Sequence, residues 1–193
     1  MAADKIPTII ESALSNENAR TVVLGDLAPA ATTFPHYHNL FSETFTILAG
    51  SMTIYTSPDM TEASFEATVL AIGESITVPP GQLHNFLVGD EGASSKVTFE
   101  PGNLDFERAM LIIRGTQRDN LYQEHASMTE ENAIYMAVMG ELLNAGAVGE
   151  LKAMMDGLYA TKGDEIRGKR RELIAKYASD EQMLLEECRI DTH

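Results

Sequence analysis

The sequence predicts a mainly β protein with an α-helical extension, and three observations support this class. Short runs rich in β-branched and aromatic residues, separated by Gly, Pro, Asn and Asp, fill the first half of the chain. Beyond Pro101 and Gly102 the apolar residues change to helical spacing. The charge changes too, because residues 1–107 carry three basic and 14 acidic side chains, and residues 108–193 carry 11 and 15. We therefore expect a β domain over residues 1–105 and a helical extension over residues 106–193.

Composition excludes several classes of function. The chain has 193 residues, of which 44% are hydrophobic and 22% charged, so it is long enough to bury a core and is typical of a soluble globular protein. No stretch approaches the length of a membrane span and the first residues do not resemble a signal peptide, so we expect a cytoplasmic protein without membrane contacts. A net charge of −15 disfavours binding to nucleic acid. The single cysteine, Cys188, excludes an intrachain disulfide and a cysteine-based zinc cluster.

Eight segments of the first half have the composition and length of strands, a spacing that is typical of a sandwich or barrel. Residues 49–51 and residues 89–92 have the composition of hairpin turns between consecutive strands. The predicted strands are residues 20–27, 32–38, 42–48, 52–56, 66–71, 76–78, 84–88 and 96–100.

Three to four helices are expected in the second half. The first covers residues 106–114. Ser127 and Glu130 form a capping-box pattern before a second helix, which ends near residues 144–146. A third begins at Val148 and stops near Gly163, and a fourth covers residues 166–177. The methionines at helical spacing in this part are more typical of a core or a dimer interface than of a ligand channel.

The feature that points to chemistry is a set of histidines in the β half. His36 and His38 are two residues apart, so their side chains leave a strand on the same face, together with Phe34. Glu43 is an odd number of residues from His38 and can join them only if residues 39–42 break the strand register with a turn or bulge. A tight turn over residues 79–81 leaves His84 free to face the same interior. Three imidazoles and one carboxylate are therefore expected to converge.

These segments resemble the two motifs of the cupin superfamily, G-x5-H-x-H-x3-4-E-x6-G and G-x5-P-x-G-x2-H-x3-N. The first is matched from its first histidine onward, although Ala30 replaces its first glycine, and the second is matched except that Val88 replaces its final asparagine. The resemblance covers about residues 20–100. The matching residues are His36, His38, Glu43 and Gly50 in the first motif and Gly73, Pro79, Gly81 and His84 in the second.

The resemblance implies a double-stranded β-helix, a small jelly-roll barrel, with one metal ion bound by His36, His38, Glu43 and His84. Imidazole with carboxylate suits Fe, Mn, Ni, Cu or Zn and is too rich in nitrogen for Ca or Mg. Four protein ligands on an octahedral ion leave two positions open. Cupin barrels often pair, so the resemblance also implies a homodimer.

The expected function is that of a metal-dependent enzyme acting on a small oxygen-containing organic substrate, with dioxygenase-like chemistry first and isomerisation or decarboxylation second. Glu43 is a candidate catalytic base if it detaches from the metal. The expected substrate pocket is apolar and is lined by Phe34, Phe45, Ile47, Met52, Phe86 and Phe99.

Several alternatives stay open. A lone His-x-His pair is usually a packing or surface feature, and a metal site can belong to a non-catalytic protein that binds or senses a small molecule. In that second case the long helical extension would carry the response to a partner. His125 and His193 have no partner pattern, and we expect them to be structural or exposed. The basic residues after Lys162 are interleaved with acidic ones and indicate a solvated helix face, not a nucleic-acid site.

Overall fold

The structure is a computed structural model that describes residues 7–122 and 129–180. Four residues discussed above, Ser127, Cys188, His125 and His193, lie outside these ranges. The elements in chain order are β1 (Thr8–Glu11), β2 (Thr21–Leu27), β3 (His36–His38), β4 (Ser42–Ser57), β5 (Glu66–Leu70), β6 (Ser75–Val78), β7 (Leu83–Glu100), α1 (Leu104–Arg118), α2 (Glu130–Leu142), β8 (Ala145–Ala147) and α3 (Gly149–Tyr177).

Two long antiparallel strands, β4 and β7, form the centre of the barrel. They pair from Ser42 opposite Glu100 to Ser57 opposite Leu83, and β5 and β6 pair with the outer edge of β4. On its other edge, β7 pairs with β2 in one half and with β3 in the other. The curled sheet with helices after it confirms the predicted class, a double-stranded β-helix followed by three helices within the described residues.

The hairpins predicted at residues 49–51 and 89–92 are wrong, because each lies inside one long strand. Residues 42–48 and 52–56 are both part of β4, and residues 84–88 and 96–100 are both part of β7. The glycines mark bends and not reversals. Register shifts lie on both sides of Gly50, which pairs with Ala93. Bulges of this kind let one strand bend across from one side of the barrel to the other.

The helical part differs from the prediction at three places. The predicted stop at Gly163 is wrong, because α3 is one helix of 29 residues that runs through Gly163 to Tyr177. A single glycine costs a helix only about 1 kcal/mol relative to alanine. The residue that caps α2 is Thr129, whose side chain accepts a hydrogen bond from the Asn132 amide at 3.2 Å. The short strand β8 lies where only a helix end was expected, and it pairs with β3.

One continuous core joins the barrel to the helices. Buried residues of both parts belong to the same hydrophobic cluster. The Phe99 ring in β7 and the Phe106 ring in α1 lie 4.1 Å apart between centroids, and Phe41 packs edge-on against both. Among the described residues, no helix combines the length and the apolar character that a membrane span requires.

A buried carboxylate reinforces this junction. Glu107 on α1 is 0% exposed, and it accepts hydrogen bonds from Ser12 Oγ at 2.6 Å, from the Ala13 amide at 2.8 Å and from Thr21 Oγ1 at 2.6 Å. These donors lie between β1 and β2 and at the start of β2, so Glu107 fixes α1 against the end of the barrel. Hydrogen bonds to a charged group are stronger than neutral ones, and buried donors that lose their acceptor are costly.

We predict that Glu107→Ala lowers the free energy of unfolding by about 3 kcal/mol or more, because three buried donors lose their acceptor. Asp105→Ala is the matched control. Asp105 lies on the same helix, but its bonds to Arg108 and Arg170 are partly exposed, so the loss should stay below about 1 kcal/mol. Urea unfolding followed by circular dichroism measures both. Equal losses in the two variants would contradict this role of Glu107.

Candidate metal centre

Strand β3 and the start of β7 carry the three histidines. His36 pairs directly with His84 across the two strands, and His38 follows two residues later on the same strand. The turn before β7 also bonds to β3, since the Gly81 amide donates to the His38 carbonyl oxygen at 2.6 Å. The two sequence motifs therefore meet through backbone hydrogen bonds, and the imidazole centroids lie 4.4 to 5.4 Å apart.

The register break between His38 and Glu43 that the sequence spacing predicts is present. Strand β3 ends at His38 and β4 begins at Ser42, so the three residues between them lie outside both strands. Glu43 then faces the interior and is buried, opposite Val78 on β6 and Phe99 on β7. One carboxylate thus joins the histidines from a different strand.

The four predicted ligand residues come together in one cluster, in which His38, Glu43 and His84 are buried and His36 is half-buried. One potential ligand atom from each of His36, His38, Glu43 and His84 lies within 4.8 Å of all the others. Glu43 Oε2 lies 3.0 Å from His84 Nε2 and 3.3 Å from His38 Nε2. Distances of this size let a single small cation contact all four groups after small side-chain movements.

Each imidazole is oriented by a backbone carbonyl on its other nitrogen. His36 Nδ1 lies 2.7 Å from the Phe34 oxygen, His38 Nδ1 lies 3.2 Å from the Asn144 oxygen, and His84 Nδ1 lies 3.0 Å from the Gln82 oxygen. A carbonyl oxygen only accepts hydrogen bonds, so Nδ1 carries the proton and donates in all three. The Nε2 atoms therefore remain as the nitrogens that could bind a metal ion. Such bonds on the far side of the ring are typical of metal-ligating histidines.

The charges of the cluster are strongly coupled. Burial lowers the pKa of His36 to about 4, and the nearby His84 and His38 act in the same direction. Burial also acts to lower the pKa of His84, but its hydrogen bond with the Glu43 carboxylate outweighs burial and raises the pKa. Burial acts to raise the pKa of Glu43, but its contacts with the imidazoles of His38 and His84 outweigh burial and lower the pKa to about 2. Glu43 is therefore a carboxylate at neutral pH.

The donor set fits a divalent transition metal ion. With Nδ1 protonated, Nε2 of a neutral imidazole presents a lone pair, and two such nitrogens lie close to the same carboxylate oxygen. Lone pairs repel at this distance unless a proton or a cation lies between them. A cation shared by His38, His84 and Glu43 would satisfy all three groups together. Three imidazoles with one carboxylate match Fe, Mn, Ni, Cu or Zn.

Aromatic side chains surround the cluster. Phe41, which is buried, lies with its ring 4.7 Å from the His38 ring, and the Phe45 ring lies 6.4 Å from that of His84. Phe86 is half-buried beside Phe45, at 6.3 Å between ring centroids. This apolar wall excludes water from one side of the ligand cluster and strengthens electrostatic interactions within it.

Of the six predicted pocket residues, five face inward and one does not. Phe34 is 69% exposed, so its predicted inward orientation is wrong. Strand β3 begins only at His36, and the alternation of faces does not extend back through Pro35 to Phe34. The other five are buried or half-buried in the barrel core, namely Phe45, Ile47, Met52, Phe86 and Phe99.

Two residues at the site were not predicted from the sequence. In the sequence, Phe41 is only part of the predicted register break. Its contact with His38 depends on the path of the turn between β3 and β4, which the sequence alone does not give. Asn144 lies more than 100 residues after His38, in the helical extension, and reaches the site only because β8 pairs with β3. The only local signal for Asn144 was its place before Ala145 and Gly146, since Asn tolerates the left-handed backbone conformation.

The curled antiparallel sheet and the convergence of both motifs at its mouth decide the fold. The chain has a cupin fold. In this cupin barrel the motif histidines lie on neighbouring strands β3 and β7, and the motif glutamate lies on β4, which pairs with the distal half of β7.

Comparison with protein-family models and with curated proteins gives no match. Solved structures with similar folds include KdgF from a Halomonas species, at 15% identity over 49% of this chain and 76% of that one, with a TM-score of 0.42. A double-stranded β-helix protein from Klebsiella pneumoniae is 21% identical over 53% of this chain and 82% of its own, with a TM-score of 0.43. An oxalate oxidase in complex with glycolate is 22% identical over 50% of this chain, with a TM-score of 0.43, and this chain spans about half (52%) of its length. These similarities assign neither a substrate nor a reaction to this chain.

The two motif glycines Gly50 and Gly81 provide a matched test of the barrel geometry. Both have positive φ, at 70° and 79°. A Cβ at Gly50 would clash with the Gly92 carbonyl oxygen, whereas a Cβ at Gly81 would meet nothing within 4 Å.

We predict that Gly81→Ala costs about 1–2 kcal/mol, the penalty of a left-handed alanine, and that Gly50→Ala costs clearly more because β4 and β7 must also move apart. Thermal unfolding of the two variants measures the difference. A Gly50→Ala variant as stable as Gly81→Ala would mean that β4 and β7 do not approach so closely at this bend.

Proposed function

We propose that the protein binds one divalent transition metal ion through His36, His38, Glu43 and His84 and is an enzyme that acts on a small organic substrate by metal-assisted chemistry. The observation that carries the proposal is the orientation of the imidazoles. Three Nδ1 atoms are engaged by backbone carbonyls, and the Nε2 atoms of His38 and His84 lie 3.3 and 3.0 Å from the same buried carboxylate oxygen, with His36 in the same cluster. A cluster that served packing alone would not need three imidazoles aligned in this way.

When bound, the ion would act as a Lewis acid that polarises an oxygen of the substrate. The four side chains would hold it, and the backbone carbonyls would keep the imidazoles in the ligating tautomer. Glu43 is a weak base while it contacts two imidazoles, because they keep its carboxyl ionised at low pH. We therefore propose that Glu43 serves first as a ligand and as negative charge, and as a proton acceptor only after it leaves the metal.

Within this class we propose dioxygenase-like chemistry first and isomerisation or decarboxylation second. An ion held by only these four side chains could also bind an oxygen atom of a small molecule. The aromatic wall formed by Phe41, Phe45 and Phe86 supports a substrate with apolar character, and it would shield the reaction from water. The homodimer and the cytoplasmic location remain predictions.

A non-catalytic sensor is the second candidate, and one observation favours it. The helical extension contacts the candidate ligand residues directly through β8 and Asn144. Binding at the site could therefore change the positions of α2 and α3. Oxygen uptake and product analysis with iron-loaded protein and a panel of small aromatic and aliphatic acids distinguish the two. Turnover that His84→Ala abolishes supports the enzyme. Compounds that raise the melting temperature of the metal-free protein without being converted with any metal support the sensor.

We predict that the metal-free protein binds one equivalent of Zn²⁺, Co²⁺ or Ni²⁺ and that His84→Ala weakens this binding by more than about 100-fold. The loss should exceed that caused by removing a residue that only supports a ligand, which is about 10–100-fold. Titration against a chelator of known affinity measures it.

Gln82→Ala is the control, because it keeps the carbonyl that accepts from His84 Nδ1 and should bind metal like the unmodified protein. The proposed function is wrong if the unmodified protein binds no metal, or if His84→Ala binds it equally well.

A further inference from the structure

The strand that carries two of the metal ligands is held mainly by the helical extension. On one side, β3 pairs with β7 only at His36 opposite His84. On the other side it pairs with β8 over all three residues, His36 opposite Ala147, Tyr37 opposite Gly146 and His38 opposite Ala145. Strand β8 lies between α2 and α3, so the position of β3 depends on a segment outside the β half of the sequence.

Asn144, the residue before β8, makes one hydrogen bond to His38 and two to the turn that follows His38. Its backbone oxygen accepts from His38 Nδ1 at 3.2 Å. Its side-chain Oδ1 accepts from the Asn39 amide at 2.7 Å and from the Leu40 amide at 3.0 Å. These two amides belong to the turn that breaks the register between His38 and Glu43. Asn144 therefore bonds both to a ligand and to the loop that sets the distance between two ligands.

The backbone at Asn144 explains why this residue type is suitable. Its φ is 52°, in the left-handed region that glycine and asparagine adopt most readily. Glycine would fit the backbone but would offer no acceptor to the two amides. Aspartate would supply an acceptor of the same length. The position thus requires both a tolerated left-handed conformation and a short side-chain oxygen.

We propose that Asn144 is a positioning residue of the metal centre, through which the helical extension sets metal affinity. The proposal rests on metal binding by the four residues named above. Asn144 orients His38 so that Nε2 faces the metal, and it holds residues 39 and 40 so that Glu43 arrives on the same side. By thermodynamic reciprocity, a metal that favours this arrangement also stabilises the pairing of β8 with β3.

The test compares Asn144→Gly with Asn144→Asp, using Co²⁺ as the probe in competition with a chelator. Asn144→Gly keeps the backbone and its carbonyl but removes Oδ1, so we expect Co²⁺ affinity to fall about 10-fold or more. Asn144→Asp restores an acceptor and should bind Co²⁺ within a few-fold of the unmodified protein. In the metal-free protein, the amides of Asn39 and Leu40 should exchange with solvent faster in Asn144→Gly only.

A third variant separates positioning from general stability. Tyr177→Phe removes the hydrogen bond from the Tyr177 hydroxyl to Asp119, which joins the end of α3 to the end of α1. It should lower the melting temperature without changing Co²⁺ affinity. If Tyr177→Phe weakens Co²⁺ binding as much as Asn144→Gly does, the effect is one of stability and the proposal is wrong.

The remaining outcomes separate this proposal from the proposed function. If the unmodified protein binds Co²⁺ and Asn144→Gly binds it equally well, the proposed metal site is supported. The proposal that Asn144 positions it is then wrong. If the unmodified protein binds no metal, the proposed function is wrong, and so is the proposed role of Asn144 in metal affinity. Amide exchange at residues 39 and 40 still shows, in that case, whether Asn144 holds the turn.

Discussion

The constraint on which the site depends is that three imidazoles clustered with the Glu43 carboxylate must all keep the same nitrogen, Nε2, available. Each does so because its Nδ1 donates to a backbone carbonyl, and the three carbonyls come from different parts of the chain. Phe34 precedes β3, Gln82 belongs to the turn before β7, and Asn144 ends the segment after α2. No local segment could orient all three rings, so the arrangement requires the barrel and the extension together.

The two parts of the chain are joined in two chemically different ways. At one junction the Glu107 carboxylate accepts three hydrogen bonds beside the continuous hydrophobic core, which fixes α1 against the barrel. At the other junction β8 pairs with β3 and Asn144 bonds to the turn after His38. The first junction contains none of the four candidate ligand residues, whereas the second bonds directly to one of them, His38. A helical extension attached in this way is a structural component of the site.

The sequence was sufficient to predict the fold class and the convergence of His36, His38, Glu43 and His84, because strand alternation and turn chemistry are local properties. The odd spacing between His38 and Glu43 even predicted the register break over residues 39–42. Long-range pairing was not predictable in the same way. The bends at Gly50 and Gly92 look like hairpin turns until the full pairing of β4 with β7 is known. Asn144 and the outward direction of Phe34 likewise depend on the tertiary structure, which single-sequence periodicity does not report.

The most direct test of this account is X-ray absorption spectroscopy of the zinc-loaded protein, with the same measurement on His38→Ala. Zinc held by His36, His38, Glu43 and His84 should show three imidazole nitrogens at about 2.0–2.1 Å and a carboxylate oxygen at about 2.0–2.2 Å. The His38→Ala variant should lose one imidazole. A zinc ion with fewer than three imidazoles in the unmodified protein, or an unchanged spectrum in His38→Ala, would contradict binding by these four residues.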